Sequence, residues 1–242
     1  MYTYEINAGY SIMDETLHMT IPAMLNCFQD AAIFEAENSK ITVEYLYNRN
    51  IAWLLNSWQI VIDRRPRLNE RIKIRTAPYD FKGFLGYRNF TITGEAGEVF
   101  VKASSIWTLI DTNRLCPSKP TQELIDGYEL GKKLDMEYAP RKIALLGSGE
   151  EQGCFTVRKY QIDSNQHMNN VEYVKLAMET LPQQAVIKEL RAEYKKAAHF
   201  GDQVKAIVIA TDDKHQVVLN DTEDETFAIV EFRFAAGNSA QW

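Results

Sequence analysis

The feature that most constrains the fold is an order of predicted secondary structure that occurs twice in this 242-residue chain. Each half predicts a strand, then a helix, then four more strands, as expected for an internal repeat of low sequence identity. In the first half, alternation predicts a strand over 2–12, and Thr20 with Pro22 marks the start of an apolar helix. Four further strands are predicted over 51–63, 71–79, 86–93 and 99–111.

The second half repeats this order after a stretch of different composition. Residues 112–153 carry prolines and glycines without a sustained hydrophobic period, which predicts a linker. A strand is then predicted over 154–162 and a helix from Val171 to Leu181, ended by Pro182. The last four strands are predicted near 187–196, 203–211, 214–219 and 226–235. The sequence thus predicts an N-terminal domain over 1–111, a linker over 112–153 and a C-terminal domain over 154–242.

This order of elements predicts an α+β fold made of two similar domains in tandem. In each domain one long apolar helix packs against an antiparallel sheet that curls around it. Over 71–75, Ile72 and Ile74 share one face and basic residues share the other, which is typical of a half-buried antiparallel strand. The two sheets are expected to join edge to edge, which protects strand edges from aggregation. A covalent pair then replaces a dimer of single domains.

The composition is that of an ordinary soluble globular protein, with 45% hydrophobic and 25% charged residues. No apolar run reaches the roughly 18 residues of a membrane span, and the N-terminus predicts no signal or transit peptide, so a cytoplasmic location is expected. The net charge of −6, without a basic tract, argues against nucleic-acid binding. Cys27, Cys116 and Cys154 lack the spacing of metal ligands, so reduced thiols and no metal site are expected.

The stretch with the most chemical information is 162–173, which predicts an extended segment leading into the second helix. If the chain is extended as far as His167, the two-residue period places Asp163, Asn165 and His167 on one face. These side chains then lie just before a helix N-terminus, whose unpaired N–H groups and partial positive charge can hold an oxyanion. A base beside an oxyanion site suits acyl transfer or hydrolysis. A structural role for His167 stays open at this point.

The backbone N–H groups of Asn169, Asn170 and Val171 are the candidates for this oxyanion hole. For either asparagine the alternative is an N-cap, because Asn169 with Glu172 three residues later imitates a capping box.

The first half holds only a partial copy of the stretch. Placing His18 over His167 also aligns Asp14 with Asp163, but Thr16 stands where the asparagine is needed. The first half therefore lacks the complete face, and we expect His18 to be structural.

Several strings of this sequence resemble the signature of the acyl-ACP thioesterases of plant plastids and bacteria. The specific one is Asn165-Gln166-His167-Met168-Asn169-Asn170, which continues into Val171-Glu172-Tyr173. Supporting strings are Glu179-Thr180-Leu181-Pro182, Glu193-Tyr194-Lys195-Lys196 and Lys102-Ala103-Ser104-Ser105-Ile106-Trp107-Thr108-Leu109-Ile110-Asp111. The resemblance extends across almost the whole chain and implies a double hotdog fold. It also implies hydrolysis of fatty acyl-ACP to free fatty acid and holo-ACP, which terminates fatty acid synthesis, with acyl carrier protein as partner and no cofactor.

The resemblance carries catalytic roles over to Asp163, Asn165 and His167. In that reading His167 is the general base or relay that activates water, Asn165 positions the thioester or the imidazole, and Asp163 orients the network.

The chain departs from the family at one place. Plant members have Glu-Cys after their Glu-Tyr-Arg-Arg string, whereas this chain has Ala197-Ala198. A covalent cysteine mechanism is therefore not expected, and water activation is left to His167. Glu193 and Glu179 are the candidates for an auxiliary group.

Two further sets of residues are candidates for substrate contacts. The resemblance implies an acyl pocket largely in the first domain, and the candidates for its wall, each equally suited to plain core, are Met24, Phe28, Trp58 and Trp107. An acidic carrier protein needs a local basic patch. The candidates, with a merely solvated surface as the alternative, are Arg64, Arg65 and Arg67, or Lys195 and Lys196.

Three other functions stay open on this sequence. They are a hotdog thioesterase acting on acyl-CoA, a hydratase or dehydratase on the same fold, and a non-catalytic acyl-binding module, which the Ala197-Ala198 pair favours. Acyl chain length is not predicted. The oligomeric state is also left open, with a homodimer as one alternative.

Overall fold

The computed structural model describes residues 1–182 and 185–235. It divides into two compact units, the first comprising Met1–Asn56 and Ile60–Tyr138. The second comprises Ser57–Gln59 and the chain from Ala139 onward. The domain boundaries at 111/112 and 153/154 stay a prediction, and residues 236–242 of the predicted C-terminal domain lie outside the described residues.

The first unit contains one long helix, two short helices and a sheet in the strand order β1-β3-β4-β5-β2, with β6 paired to β5. The helices are α1 (Ile21–Glu37), α2 (Val43–Asn48) and α3 (Gln122–Asp126). The strands are β1 (Tyr2–Asn7), β2 (Ile51–Ile62), β3 (Arg71–Lys82), β4 (Leu85–Gly94), β5 (Val99–Asp111) and β6 (Cys116–Pro117). As predicted, Ile72 and Ile74 are fully buried while Arg71 is exposed.

In its described residues, the second unit has the same layout with one α-helix. Its helix is α4 (Asn170–Met178). Its strands are β7 (Glu150–Thr156), β8 (Ile187–Tyr194), β9 (Gln203–Ala210), β10 (Lys214–Asn220) and β11 (Thr226–Phe234). The order in this unit is β7-β9-β10-β11-β8. Counted within each unit, both orders run first, third, fourth, fifth, second strand, which confirms the repeat and the α+β fold.

The two main helices begin as their sequences predict but differ in length. Thr20 caps α1 through its Oγ1, which accepts the N–H of Ala23 at 3.2 Å, and the apolar face of α1 packs on β1 and β3. The second helix, α4, packs on β10 and β11 and has nine residues, so it ends at Met178 rather than Leu181. Thr180 donates its hydroxyl to the carbonyl of Ala177 at 2.8 Å, which closes this end.

The strand predicted over 2–12 ends at Asn7, and a 3₁₀ turn at Tyr10–Ile12 follows it. In the second half the strand predicted over 154–162 is displaced to Glu150–Thr156, and a 3₁₀ turn at Lys159–Gln161 follows. Apolar residues at alternate positions in a tight turn imitate strand periodicity over so short a stretch. Both units therefore lead into their helix through a strand, a 3₁₀ turn and a loop. In the described part of the chain, no helix is long and apolar enough to cross a membrane.

Candidate active site

The predicted catalytic residues lie on a tight loop over 163–167. Ile162 and Met168 form a single antiparallel bridge across it, and the N–H of Asp163 donates to the carbonyl of His167 at 2.8 Å. Gln166 has a φ of 63°, in the left-handed region. The prediction of an extended segment with three side chains on one face is therefore wrong.

The carboxylate of Asp163 is the physical reason for the loop. Its Oδ1 accepts the backbone N–H of Asn165 at 2.8 Å and that of His167 at 3.4 Å. An aspartate that binds the main chain two residues ahead forms an Asx turn, which competes with a strand. Asp163 thus orients His167 through the main chain of the loop and not through a bond to the imidazole.

The three side chains differ in exposure. Asn165 is exposed, whereas Asp163 and His167 are half-buried. Among the residues that the structure describes, no hydrogen-bond partner is found for the imidazole nitrogens of His167 or for the carboxamide of Asn165. The imidazole of His167 is instead in ring contact with His199, with the centroids 5.0 Å apart. His167 is therefore available to accept a proton from a bound molecule.

The N-terminus of α4 begins directly after this loop. Asn169 is its N-cap, because its Oδ1 accepts the N–H of Val171 at 2.9 Å, and its own N–H donates to the carbonyl of Gln161 at 2.8 Å. Two of the three predicted oxyanion donors, Asn169 and Val171, are thus already used. The N–H of Asn170 has no acceptor among the described residues, so it is the one predicted donor that can bind an oxyanion.

Glu172 does not complete a capping box. Its carboxylate accepts a hydrogen bond from the side chain of Gln161 at 3.1 Å and from Lys175 at 2.5 Å. The cap of α4 is therefore carried by Asn169 alone.

The first unit contains a second loop of the same geometry at 14–18. The N–H of Asp14 donates to the carbonyl of His18 at 2.9 Å, and Leu17 has a φ of 59°. Asp14 Oδ1 accepts the backbone N–H of Thr16 at 2.9 Å and of His18 at 3.2 Å. The alignment of His18 with His167 in the sequence thus corresponds to the same hydrogen-bond pattern in both loops.

The two loops differ in what their side chains contact. Asp14 forms an ion pair with Arg65. Burial raises the pKa of Asp14, but hydrogen bonds from Thr16 and Arg65 outweigh it and lower the value to about 2. His18 Nδ1 lies 2.9 Å from the carbonyl oxygen of Thr16. His18 is therefore held by its own loop, unlike His167.

The segment after β8 lies beside the loop that carries His167. The N–H of Met168 donates to the carbonyl of Ala198 at 2.8 Å, and the N–H of Ala198 donates to the hydroxyl of Tyr173 at 2.8 Å. Burial raises the pKa of Tyr173 to about 12 despite that hydrogen bond, and the carboxylates of Asp202 and Asp163 add to the rise. Ala198 is thus fixed by its main chain at the position where plant relatives were expected to have a thiol.

Sequence reasoning missed Tyr173, His199 and Asp202 as members of this cluster. One feature of the sequence could have identified His199. It directly follows Ala197-Ala198, the two positions at which this chain differs from the family pattern.

The two auxiliary candidates are placed differently. Glu193 is buried on β8, and its Oε2 accepts the backbone N–H of Ile143 at 2.8 Å. Glu179 is exposed at the C-terminal end of α4, about 13 Å along the axis from the N-terminus at 1.5 Å per residue. In the part of the chain that the structure describes, neither carboxylate forms a hydrogen bond or ion pair with the loop that carries His167. Within the described residues, no three His, Cys, Asp or Glu side chains are grouped to hold a metal ion.

Family models match both halves of the chain. The model described as acyl-ACP thioesterase N-terminal domain matches residues 1–128, and the model of the C-terminal domain of the same enzymes matches 148–234. The chain belongs to the acyl-ACP thioesterase family. The loop with His167 and the N-terminus of α4 both lie in the part matched by the C-terminal model.

Individual relatives agree with this acyl-ACP thioesterase assignment. A chloroplastic palmitoyl-acyl carrier protein thioesterase of Gossypium hirsutum is 24% identical over 232 residues, which covers 90% of this chain and 55% of that protein. Its counterpart in Arabidopsis thaliana is 24% identical over 214 residues, covering 80% of this chain and 50% of that protein. The chain thus spans about half the length of the curated relatives it matches.

Solved structures of acyl-ACP thioesterases share the fold. An acyl-ACP thioesterase from Bacteroides thetaiotaomicron superposes with a TM-score of 0.89 at 20% identity, covering 96% of this chain and 97% of that one. The 12:0-ACP thioesterase of Umbellularia californica gives 0.82 at 17% identity, covering 97% and 96%. The double hotdog fold predicted for this chain is confirmed.

The candidates for the acyl pocket are buried to different degrees. Met24 and Phe28 are completely buried on α1, and Phe28 packs on Phe90 with ring centroids 5.1 Å apart. Trp58 on β2 is also buried, and Trp107 on β5 is half-buried. Their role as pocket wall stays a prediction.

Three of the five basic residues considered for binding the carrier protein are ion-paired within the chain. The pairs are Arg64 with Glu70, Arg65 with Asp14 and Lys196 with Asp221. Arg67 and Lys195 are exposed, and neither forms a salt bridge in the described part of the chain, although the charge of Arg67 acts on the nearby carboxylate of Glu70 and helps to lower its pKa. The positive charge available for an acidic partner is thus smaller than the sequence implied.

Proposed function

We propose that this protein hydrolyses the thioester of fatty acyl-ACP, releasing a free fatty acid and holo-ACP and so terminating fatty acid synthesis. The observation that carries the proposal is the half-buried imidazole of His167, free of hydrogen bonds within the described residues, in a loop that leads straight into α4. The unpaired N–H of Asn170 at the start of that helix supplies a donor for negative charge. His167 and Asn170 are three residues apart along the chain. A base and an anion donor so close together suit the attack of water on a carbonyl carbon.

In the proposed reaction these two groups act directly on the water and on the thioester. His167 takes a proton from water, and the water oxygen forms a bond to the thioester carbon. The oxygen of the tetrahedral intermediate then carries a negative charge, which the N–H of Asn170 stabilises at the positive end of the α4 dipole. The C–S bond breaks, and the leaving thiolate takes the proton back from His167. The products are a carboxylic acid and a free thiol, so atoms and charges balance.

Asn165 and Asp163 have different roles in this proposal. The carboxamide of Asn165 is exposed and unengaged among the described residues, so it donates a second hydrogen bond to the thioester oxygen. Asp163 acts through the backbone N–H groups that it binds, and it fixes the place of His167 in the loop. Glu193 is left out of the mechanism because its carboxylate is bound to Ile143, and Glu179 because it lies at the far end of α4.

The substrate's acyl chain is proposed to lie beside α1 in the first unit, with Met24 and Phe28 among the bordering residues. Trp58 and Trp107 remain further candidates. The acyl carrier protein as partner, a homodimer and a cytoplasmic location are predictions of the same kind.

Thiol release from matched panels of acyl-ACP and acyl-CoA tests the proposal. The wild-type protein is expected to release thiol from acyl-ACP, and His167→Ala to lower the rate by about 10²-fold or more, the usual contribution of a general base. A preference for acyl-CoA would show that the protein is an acyl-CoA thioesterase and that its substrate is not carried by ACP. Binding of acyl-ACP without turnover would favour a non-catalytic acyl-binding module, and equal turnover by the variant would remove His167 from the mechanism.

A further inference from the structure

His199 lies against the proposed base in a way that the mechanism above does not use. Its ring and that of His167 meet edge to face, with an interplanar angle of 82° and centroids 5.0 Å apart. Aromatic rings prefer such contacts at this separation. No hydrogen bond to the His167 ring occurs within 1–182 and 185–235, so the ring of His199 is the neighbour that the described structure places against this imidazole.

His199 is itself held in a tight turn over 199–202. Its backbone N–H donates to Asp202 Oδ2 at 2.8 Å, and its carbonyl accepts the N–H of Asp202 at 3.1 Å. Its ring atom Nδ1 lies 3.8 Å from the same carboxylate oxygen. Gly201 has a φ of 91°, which a residue with a side chain adopts at a cost. Asp202 therefore closes the turn that presents His199.

The turn is attached to the loop of the base through the main chain. The carbonyl of Ala198 accepts the N–H of Met168 at 2.8 Å. Ala198 directly precedes His199, and Met168 directly follows His167. The N–H of Ala198 is bound to the buried hydroxyl of Tyr173. The two imidazoles thus project from neighbouring main-chain segments whose relative position is fixed by hydrogen bonds, although the side chain of His199 is itself mostly exposed.

We propose that His199, held by Asp202, is a positioning residue for His167. This inference rests on the proposed function, because it needs His167 as the base. A general base whose ring rotates freely spends part of its time out of reach of the water, and a misplacement of about 1 Å lowers a rate by up to about 10²-fold. A ring that restricts this rotation increases kcat and leaves substrate affinity unchanged.

Paired variants at His199 and Asp202 test the proposal. His199→Ala removes the ring contact and is expected to lower kcat about 10-fold, with KM within about twofold of wild type. His199→Phe keeps a ring of similar width and is expected to restore most of kcat. Asp202→Ala opens the turn and is expected to match His199→Ala, whereas Asp202→Asn keeps an oxygen that can accept the N–H and is expected to match wild type.

A nuclear Overhauser effect between the imidazole protons of His167 and His199 gives a readout that does not depend on turnover. We expect it in wild type and Asp202→Asn, and we expect it to be lost in Asp202→Ala. The positioning role is overturned if His199→Phe is as slow as His199→Ala, if His199→Ala keeps the wild-type kcat, or if the effect persists in Asp202→Ala. A wild-type protein that releases no thiol would overturn the proposed function instead, and the Overhauser effect would still decide whether Asp202 holds the two rings together.

Discussion

The carboxylates of Asp163 and Asp14 bind the main chain of their loops in the same way, but only one loop presents an imidazole that is not engaged by its own loop. Asp14 is tied to Arg65, and His18 is tied to Thr16. At the scale of single residues, the two loops therefore share one backbone turn and differ in the side-chain contacts of their aspartate and histidine.

Asp163→Ala removes the acceptor for two backbone N–H groups, and we expect both stability and activity to fall. The free energy of unfolding should drop by about 1–2 kcal/mol, the usual net value of one or two hydrogen bonds at a partly exposed site. Turnover should fall by about 10-fold or more because His167 loses its fixed place. Urea unfolding and steady-state kinetics measure the two effects. Asp163→Asn is the matched control, since its amide oxygen can still accept, and a loss as large as in the alanine variant would contradict this account.

Tyr173→Phe tests the hydrogen bond between the hydroxyl of Tyr173 and the N–H of Ala198. The pH dependence of stability distinguishes the effect of the hydroxyl from the effect of ring packing. The variant leaves a buried N–H without an acceptor, which should cost about 1–3 kcal/mol at neutral pH. Because burial raises the pKa of Tyr173 to about 12, the neutral phenol favours the folded state below the unfolded value of about 10. That contribution is lost as the pH rises through about 12. Urea unfolding at pH 8, 10 and 11 should therefore show a steeper alkaline loss in wild type than in Tyr173→Phe, and parallel curves would contradict the assignment.

At the scale of elements, the two main helices are capped by different residues at equivalent positions. Asn169→Ala in α4 and Thr20→Ala in α1 each remove one side-chain acceptor from a first turn. We expect each variant to lose about 1 kcal/mol of unfolding free energy, the usual value of an N-cap. Only Asn169→Ala is expected to lower kcat, because the start of α4 is the proposed oxyanion site. If the two variants had equal kcat at equal stability, the N-terminus of α4 would have no part in the reaction.

His215 on β10 joins the far end of α4 to the sheet, with its Nε2 lying 2.9 Å from Thr180 Oγ1. Burial lowers the pKa of His215 to about 4. The neutral form favours the folded state, so this contribution is complete above the unfolded value of about 6.5 and is lost as the pH falls towards 4.

We expect wild-type protein to lose about 1–3 kcal/mol of unfolding free energy from this one group between pH 6.5 and pH 4. In His215→Phe, which places a ring between Phe232 and Phe234, that acid-dependent part should be absent. Urea unfolding at several pH values measures it, and identical acid profiles of the two proteins would show that His215 does not titrate on unfolding.

The regular elements were predictable from the sequence, whereas the loops were not. Thr20 with Pro22 and the alternation around Ile72 and Ile74 each depend on residues close together in the chain, where local rules apply. The loops turn at Leu17 and Gln166, whose positive φ values are usually taken by glycine or asparagine. The local turn pattern is Asp163-Ser164-Asn165, and the interpretation as an extended segment did not use it.

The candidate site was predictable only in part for a related reason. Asp163, His167 and Asn169 are neighbours in the sequence, so one motif identified all three. The contacts of Tyr173 with Ala198 and of His167 with His199 join positions 25 and 32 apart in the chain. Contacts over that separation depend on how α4 packs on its sheet, which single-sequence patterns do not specify.

At the scale of the whole molecule, the chain holds two copies of one hotdog unit, each with a strand, a 3₁₀ turn, an aspartate loop and a helix in the same order. The strand order is the same in the two copies, whereas the side-chain contacts of their aspartate loops differ. The first keeps the loop as a closed structural turn, and the second carries the open imidazole for which we propose catalysis. This difference makes the first loop a natural internal control for the second.

Single-turnover thiol release from acyl-ACP by His167→Ala and His18→Ala compares the two copies most directly. Both substitutions remove an imidazole from the same loop geometry, but His18 is hydrogen bonded to Thr16, so the urea unfolding of both variants is measured beside the rates. We expect His18→Ala to stay within about twofold of the wild-type rate and His167→Ala to fall by about 10²-fold or more. Equal rates in the two variants, whether both fast or both slow, would contradict the assignment of the chemistry to the second unit.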